Sequence, residues 1–162
     1  MLQIKKLFLI AFIACIAVQL NAQSYKLPVY EKFKLKNGLT VYLMEQHEVP
    51  VINVSVILPA GAIYDGEKAG LASLTATALK HGTKNYNKEK LDEELDFNGA
   101  NISTFASKES VSLFARMAAK DKNKILTLLK EVLLEPSFDA AEFDKEKKRL
   151  LVGIKKKKES PR

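Results

Sequence analysis

Phe33-Lys34-Leu35-Lys36-Asn37-Gly38-Leu39-Thr40-Val41-Tyr42-Leu43 is the stretch from which the fold can be read. Phe33 and Leu35 alternate with lysines, Asn37-Gly38 is a hairpin-turn pair, and Leu39, Val41 and Leu43 resume the alternation. A period of two on both sides of such a turn predicts two antiparallel strands. Downstream, Glu45 to Pro50 is polar and ends in proline, which suits a second turn. Ile52, Val54, Val56 and Leu58 then mark one face of another strand, closed by Pro59-Ala60-Gly61. The β-formers Ile102, Phe105, Val111, Leu113 and Phe114 predict two more strands, over about 100–107 and 110–118.

Four helices fit around these strands. The first is expected from Lys68 to Lys80, and the second from Asn87 to Phe97 with Asn98-Gly99 as its stop. The third opens at a capping Asp121, places Ile125, Leu128, Leu129, Val132 and Leu133 at helical spacing, and ends before Pro136. The fourth opens with Asp139 and Glu142 in capping-box spacing and is expected to turn Phe143, Leu150, Leu151 and Ile154 inward. The order is β-rich, two helices, two strands, two helices. It predicts an α+β fold, a largely antiparallel sheet covered on one side by helices.

The composition is that of an ordinary globular protein: 162 residues, 47% apolar, 28% charged, net charge 26 − 19 = +7. Wholesale disorder, collagen-like repeats and a disulfide scaffold are excluded. The first 22 residues read as a signal peptide: Lys5-Lys6, twelve apolar residues from Leu7 to Val18, then Leu20-Asn21-Ala22. Twelve residues rise only about 18 Å as a helix against a bilayer core of roughly 30 Å, so no transmembrane span is expected. Export, to a periplasm, follows from this reading. An alternative makes Cys15 a lipid-modified anchor, although Phe12 is a poor match to the aliphatic residue such a box requires. Residues 23–162 then form one domain with no cysteine. The basic run Lys155–Lys158 reads as the solvated face of the last helix. No aromatic side chain interleaves it, so nucleic acid is not an expected partner. The stop at Glu159-Ser160-Pro161-Arg162 lacks a closing element and predicts a piece of a longer protein.

An ordered set of short motifs carries a resemblance. Phe33-x-Leu35-x-Asn37-Gly38-Leu39-x-Val41, Pro59-Ala60-Gly61-Ala62, Ala69-Gly70-Leu71-Ala72, Gly82-Thr83-Lys84-Asn85-Tyr86 and Gly99-Ala100-Asn101 follow one another at the proper intervals. Together they resemble the N-terminal domain of the insulinase or pitrilysin-like zinc peptidases, the inverzincins. The resemblance implies an H-x-x-E-H motif on the helix after Gly70-Leu71-Ala72, with two imidazoles holding zinc and the glutamate acting as base. A third ligand, a glutamate, is implied on a later helix. The five motif positions here are Ser73-Leu74-Thr75-Ala76-Thr77, and the third-ligand position falls at or next to Gly153. Ser73, Ala76, Thr77 and Gly153 thus replace both histidines, the base and the last ligand. Bound zinc lowers the pKa of water from 15.7 to about 7, roughly 12 kcal/mol of proton affinity. Two hydroxyls and a methyl cannot hold or ionise such a water. Glu146 matches a further acidic position of the later helix. His47 and His81, the only histidines, read as surface or capping residues.

In active members the strand after Gly99-Ala100-Asn101 pairs its edge with extended substrate, a β-augmentation. That role would fall here to Ser103, Thr104 and Phe105. The bland alternative is a sheet strand whose Ile102 and Phe105 feed the core. The resemblance implies a non-catalytic subunit, a pseudopeptidase that needs no cofactor itself and completes a chamber with a zinc-bearing homologue to degrade peptides. A second reading is the N-terminal half of a longer zinc metallopeptidase whose active site lies downstream. A third is a scaffold or binding protein that reuses the fold.

Overall fold

A computed structural model of the chain describes residues 28–159, so the expected signal peptide and Cys15 lie outside the described residues. The chain divides into two compact units between His47 and Glu48. In the first, β1 (Glu31–Lys34) and β2 (Thr40–Leu43) form the expected antiparallel hairpin, with Phe33 opposite Val41 and Lys34 opposite Thr40. Gly38 takes a φ of +89°, which only glycine adopts without strain. The Asn37 side chain accepts the Leu39 N–H at 3.1 Å, closing the turn.

The second unit is built on a three-stranded antiparallel sheet in the order β3-β5-β4. Its strands are β3 (Val51–Leu58), β4 (Asn101–Ala106) and β5 (Val111–Ala118). Period-two alternation gives the sheet two unlike faces. Val111, Leu113, Ala115 and Met117 of the central strand are buried, while Phe114 and Arg116 between them are exposed. Three helices cover the buried face, α1 (Leu71–Ala78), α2 (Lys88–Phe97) and α3 (Lys122–Leu134), and α4 (Ala140–Glu159) packs against α1. Ile125, Leu128, Leu129 and Val132 on α3 and Leu91 and Leu95 on α2 complete one continuous core. The architecture is α+β, as the element order predicts. No helix among the described residues is long and apolar enough to cross a membrane.

The helix ends follow from local chemistry. Asn87 accepts the Lys90 N–H at 2.9 Å and caps α2. At its other end Gly99 has a φ of +55°, and the N–H groups of Gly99 and Ala100 return to Asp96 and Leu95. Asp139 accepts the Glu142 N–H at 2.9 Å and starts α4.

Four expectations need correction. The first helix begins at Leu71 rather than Lys68, because Gly70 in the left-handed region (φ +92°) breaks the chain there. Asp121 does not cap α3 through its side chain, because it ends a short 3-10 turn (Ala119–Asp121) that leads directly into the helix. Leu151 and Ile154 are exposed, at 57% and 54%, and the one buried residue of α4 is Glu146. Ile102 is buried but Phe105 is 62% exposed. Three residues apart on a strand, those two side chains must point to opposite faces.

Candidate functional site

The helix that would carry the metal motif is short and anchored at its start. Asp65 is buried, and its carboxylate accepts the N–H of Gly70 at 2.7 Å and of Ala72 at 2.8 Å. A negative charge at a helix N-terminus is favourable in itself and satisfies donors the helix leaves unpaired. From this anchor α1 runs across β4 and packs against α4.

Ser73 and Thr77 stand one turn apart on α1. Ser73 is exposed, and the Thr77 hydroxyl donates to the Ser73 carbonyl at 3.0 Å. Ala76, one turn on from Ser73, is only 1% exposed and part of the core. Its methyl lines a mostly apolar cavity of about 380 Å³ shared with Leu58, Leu71, Leu79 and Val111. Gly153 lies on an exposed turn of α4, with no atom within 4 Å of the point where a Cβ would stand. As residues i, i+3 and i+4 of one helix, Ser73, Ala76 and Thr77 share one side of α1, with Ser73 exposed and Ala76 buried. Their chemistry does not suit zinc: two neutral hydroxyls, one already engaged with backbone, a methyl and a bare backbone. Among the described residues, no group of three or more His, Cys, Asp or Glu side chains could hold a metal ion.

Among the described residues β4 is an edge of its sheet, paired with β5 on one side only. Thr104 faces the helices opposite Leu113, whereas Ser103 and Phe105 lie on the open face opposite Phe114 and Ser112. The three candidate contact residues are therefore divided between two faces.

The histidines divide as well. His47 is exposed, its Nε2 3.3 Å from the Glu45 carboxylate, as a surface residue would be. His81 is not a surface residue: it is 8% exposed, and its Nδ1 finds no hydrogen-bond partner among the described residues. Burial pushes its pKa below the ordinary value of 6.5, an effect that Glu146 and Glu142 oppose and Lys88 and Lys80 reinforce. Glu146 is also buried and is held by both arms of the Arg149 fork, Nε donating at 2.8 Å and Nη2 to the second oxygen. That fork holds the Glu146 carboxyl below the usual carboxylate range. Sequence reasoning missed His81 because a histidine after a helix looks solvated until the next element closes over it. The i, i+3 spacing of Glu146 and Arg149 was the available signal.

The motif glycines and Thr83 do structural work. A Cβ on Gly61 would stand 2.3 Å from the Glu109 carbonyl carbon and 2.4 Å from the Ser110 nitrogen, so only glycine lets this loop lie on the β4–β5 turn. Gly82 has a φ of +126°. The buried Thr83 hydroxyl donates to Glu131 at 2.8 Å and accepts the Tyr86 N–H at 3.1 Å, tying the loop after α1 to α3.

Comparison with known proteins agrees with this scaffold. The profile of the family described as Insulinase (Peptidase family M16) matches residues 40–162. Cytochrome b-c1 complex subunit 1, mitochondrial, of Bos taurus is 28% identical over 136 residues, covering 83% of this chain and 28% of that protein. An uncharacterized zinc protease of Rickettsia bellii (strain RML369-C) is 26% identical over 130 residues, 79% of this chain and 31% of its own length. The crystal structure of a peptidase M16 inactive domain from Pseudomonas fluorescens superposes with a TM-score of 0.78 at 25% identity, covering 82% of this chain and 32% of that one. The chain spans less than a third of the length of each of these relatives. With three quarters of its residues on the family profile and the same fold as a solved member, the chain belongs to the insulinase family of peptidases, family M16.

Proposed function

We propose that the protein is a non-catalytic subunit of this family, the companion of a zinc-bearing homologue with which it encloses peptide substrates. The observation that carries this reading is the motif helix. Ser73 and Thr77 stand where the histidines would bind, and Ala76 is sunk into apolar surroundings where the base would stand. The likeness to a domain described as inactive supports it. In such a pair the free edge of β4 would take extended peptide by backbone pairing, with Ser103, Thr104 and Phe105 along it. Zinc, on this reading, is the partner's cofactor, and export to the periplasm would place both subunits together.

The test is direct. The purified full-length protein is expected to hold no stoichiometric zinc by elemental analysis, and to support peptide cleavage only when mixed with the homologue. Peptide cleavage by the protein alone, abolished by a chelator, would refute the reading.

A second reading, a scaffold that reuses the fold, is favoured by the likeness to cytochrome b-c1 complex subunit 1. Co-purification with a stable partner that lacks a peptidase motif would support it over the first. A third places the zinc site beyond Arg162 in a longer chain, as the short coverage of the relatives allows. An H-x-x-E-H motif downstream in the same reading frame would favour it.

A further inference from the structure

We propose that the open face of the β3-β5-β4 sheet binds an extended acidic peptide through its side chains, Arg116 taking a carboxylate and Phe114, Ile57 and Phe105 the apolar residues that follow it. The strand register arranges this face in three rows. Asn53, Arg116 and Asn101 form one, Ser55, Phe114 and Ser103 the next, and Ile57, Ser112 and Phe105 the third. Ile57 is 66% exposed and Phe114 47%, so with Phe105 the last two rows present an apolar patch to solvent. Patches of this kind rimmed by polar groups mark sites of interaction.

The first row supplies the charge. No carboxylate among the described residues lies within ion-pair distance of Arg116, and none of the three rows contains an acidic residue. Arg116, Asn53, Asn101 and Phe114 border a hollow of about 160 Å³. A planar guanidinium beside two amides is suited to a carboxylate, which it can bind with two parallel hydrogen bonds. Residues two apart on a strand are about 6.8 Å apart, in this sheet and in an extended ligand alike. An acidic residue at one position and apolar residues two and four further on would therefore meet the three rows in step. A second copy of the chain is a poor occupant, because its matching face offers Arg116 no carboxylate. Unlike edge pairing at β4, this mode reads side chains, and it holds whether or not the protein is a peptidase companion.

The probe is a labelled, extended hexapeptide with Asp first, Phe third and Ile fifth, serine elsewhere, titrated against the full-length protein by fluorescence anisotropy. Arg116→Gln is expected to weaken binding about tenfold or more, Arg116→Lys less so, and Phe114→Ser also to weaken it. Replacing the peptide's Asp by Asn should reproduce the Arg116→Gln loss on unmodified protein, independently of any effect on folding. Methylating the peptide's backbone nitrogens should leave binding intact. Three results would overturn the proposal: equal affinity for the Asp and Asn peptides, loss of binding on N-methylation, or a sedimenting dimer that Phe114→Ser dissociates.

Discussion

Gly61 and His81 show how single residues hold this scaffold. Gly61→Ala would drive a methyl into the backbone of the β4–β5 turn, which cannot yield as a side chain can. It is expected to lower unfolding stability by about 1–3 kcal/mol, measured as the urea midpoint at unchanged slope. His81 gives a pH effect whose sign is fixed. Because burial holds its pKa below 6.5, the unfolded chain takes up the proton first as pH falls. The stability His81 contributes is thus complete above its unfolded pKa and is lost as pH falls through its folded one. Between about pH 7.5 and pH 5 the stability of the protein should fall more steeply than that of His81→Gln. Parallel curves for the two proteins would sink the assignment. Neither role is written in the sequence: Gly61 is recognisable as a turn glycine, but the backbone it lies on is nearly fifty residues away, and His81 becomes buried only in the assembled fold.

At the level of elements, the sequence was most informative where periodicity and burial coincide. The strand pattern around Asn37-Gly38, the β3 alternation and the i, i+3, i+4, i+7 stripe of α3 each appear as read. It misled at α4, where Leu151 and Ile154 keep the spacing of an inward face but stay exposed. Periodicity states which side chains share a face, and not whether another element covers it. The two helices therefore differ in an experiment. Leu128→Ala on α3 is expected to cost about 2–5 kcal/mol, and Leu151→Ser on α4 no more than about 0.5 kcal/mol, by chemical denaturation of each variant. The candidate site divides the same way. The identities at Ser73, Ala76, Thr77 and Gly153 can be read directly, and a period of two separates Thr104 from Ser103 and Phe105, but only the structure shows that the helices cover the Thr104 face.

Across the whole molecule, the features that carry the family likeness and those that carry family chemistry separate cleanly. Asn37-Gly38, Gly61, Gly70, Gly82-Thr83 and Gly99 each serve a turn, a close approach or a helix end. None of them has to touch a substrate, so the fold can be kept whatever stands at Ser73, Ala76 and Thr77. Ala76 shows what a change at one of those positions would meet. A glutamate introduced there alone would carry its carboxylate into an apolar cavity with no cation to meet it, a penalty of several kcal/mol. Such a charge would be tolerated only with a cation, and the side chains that hold it, already in place. An acidic side chain at this position is therefore acceptable only together with its counter-charge, and a single substitution at Ala76 cannot supply both.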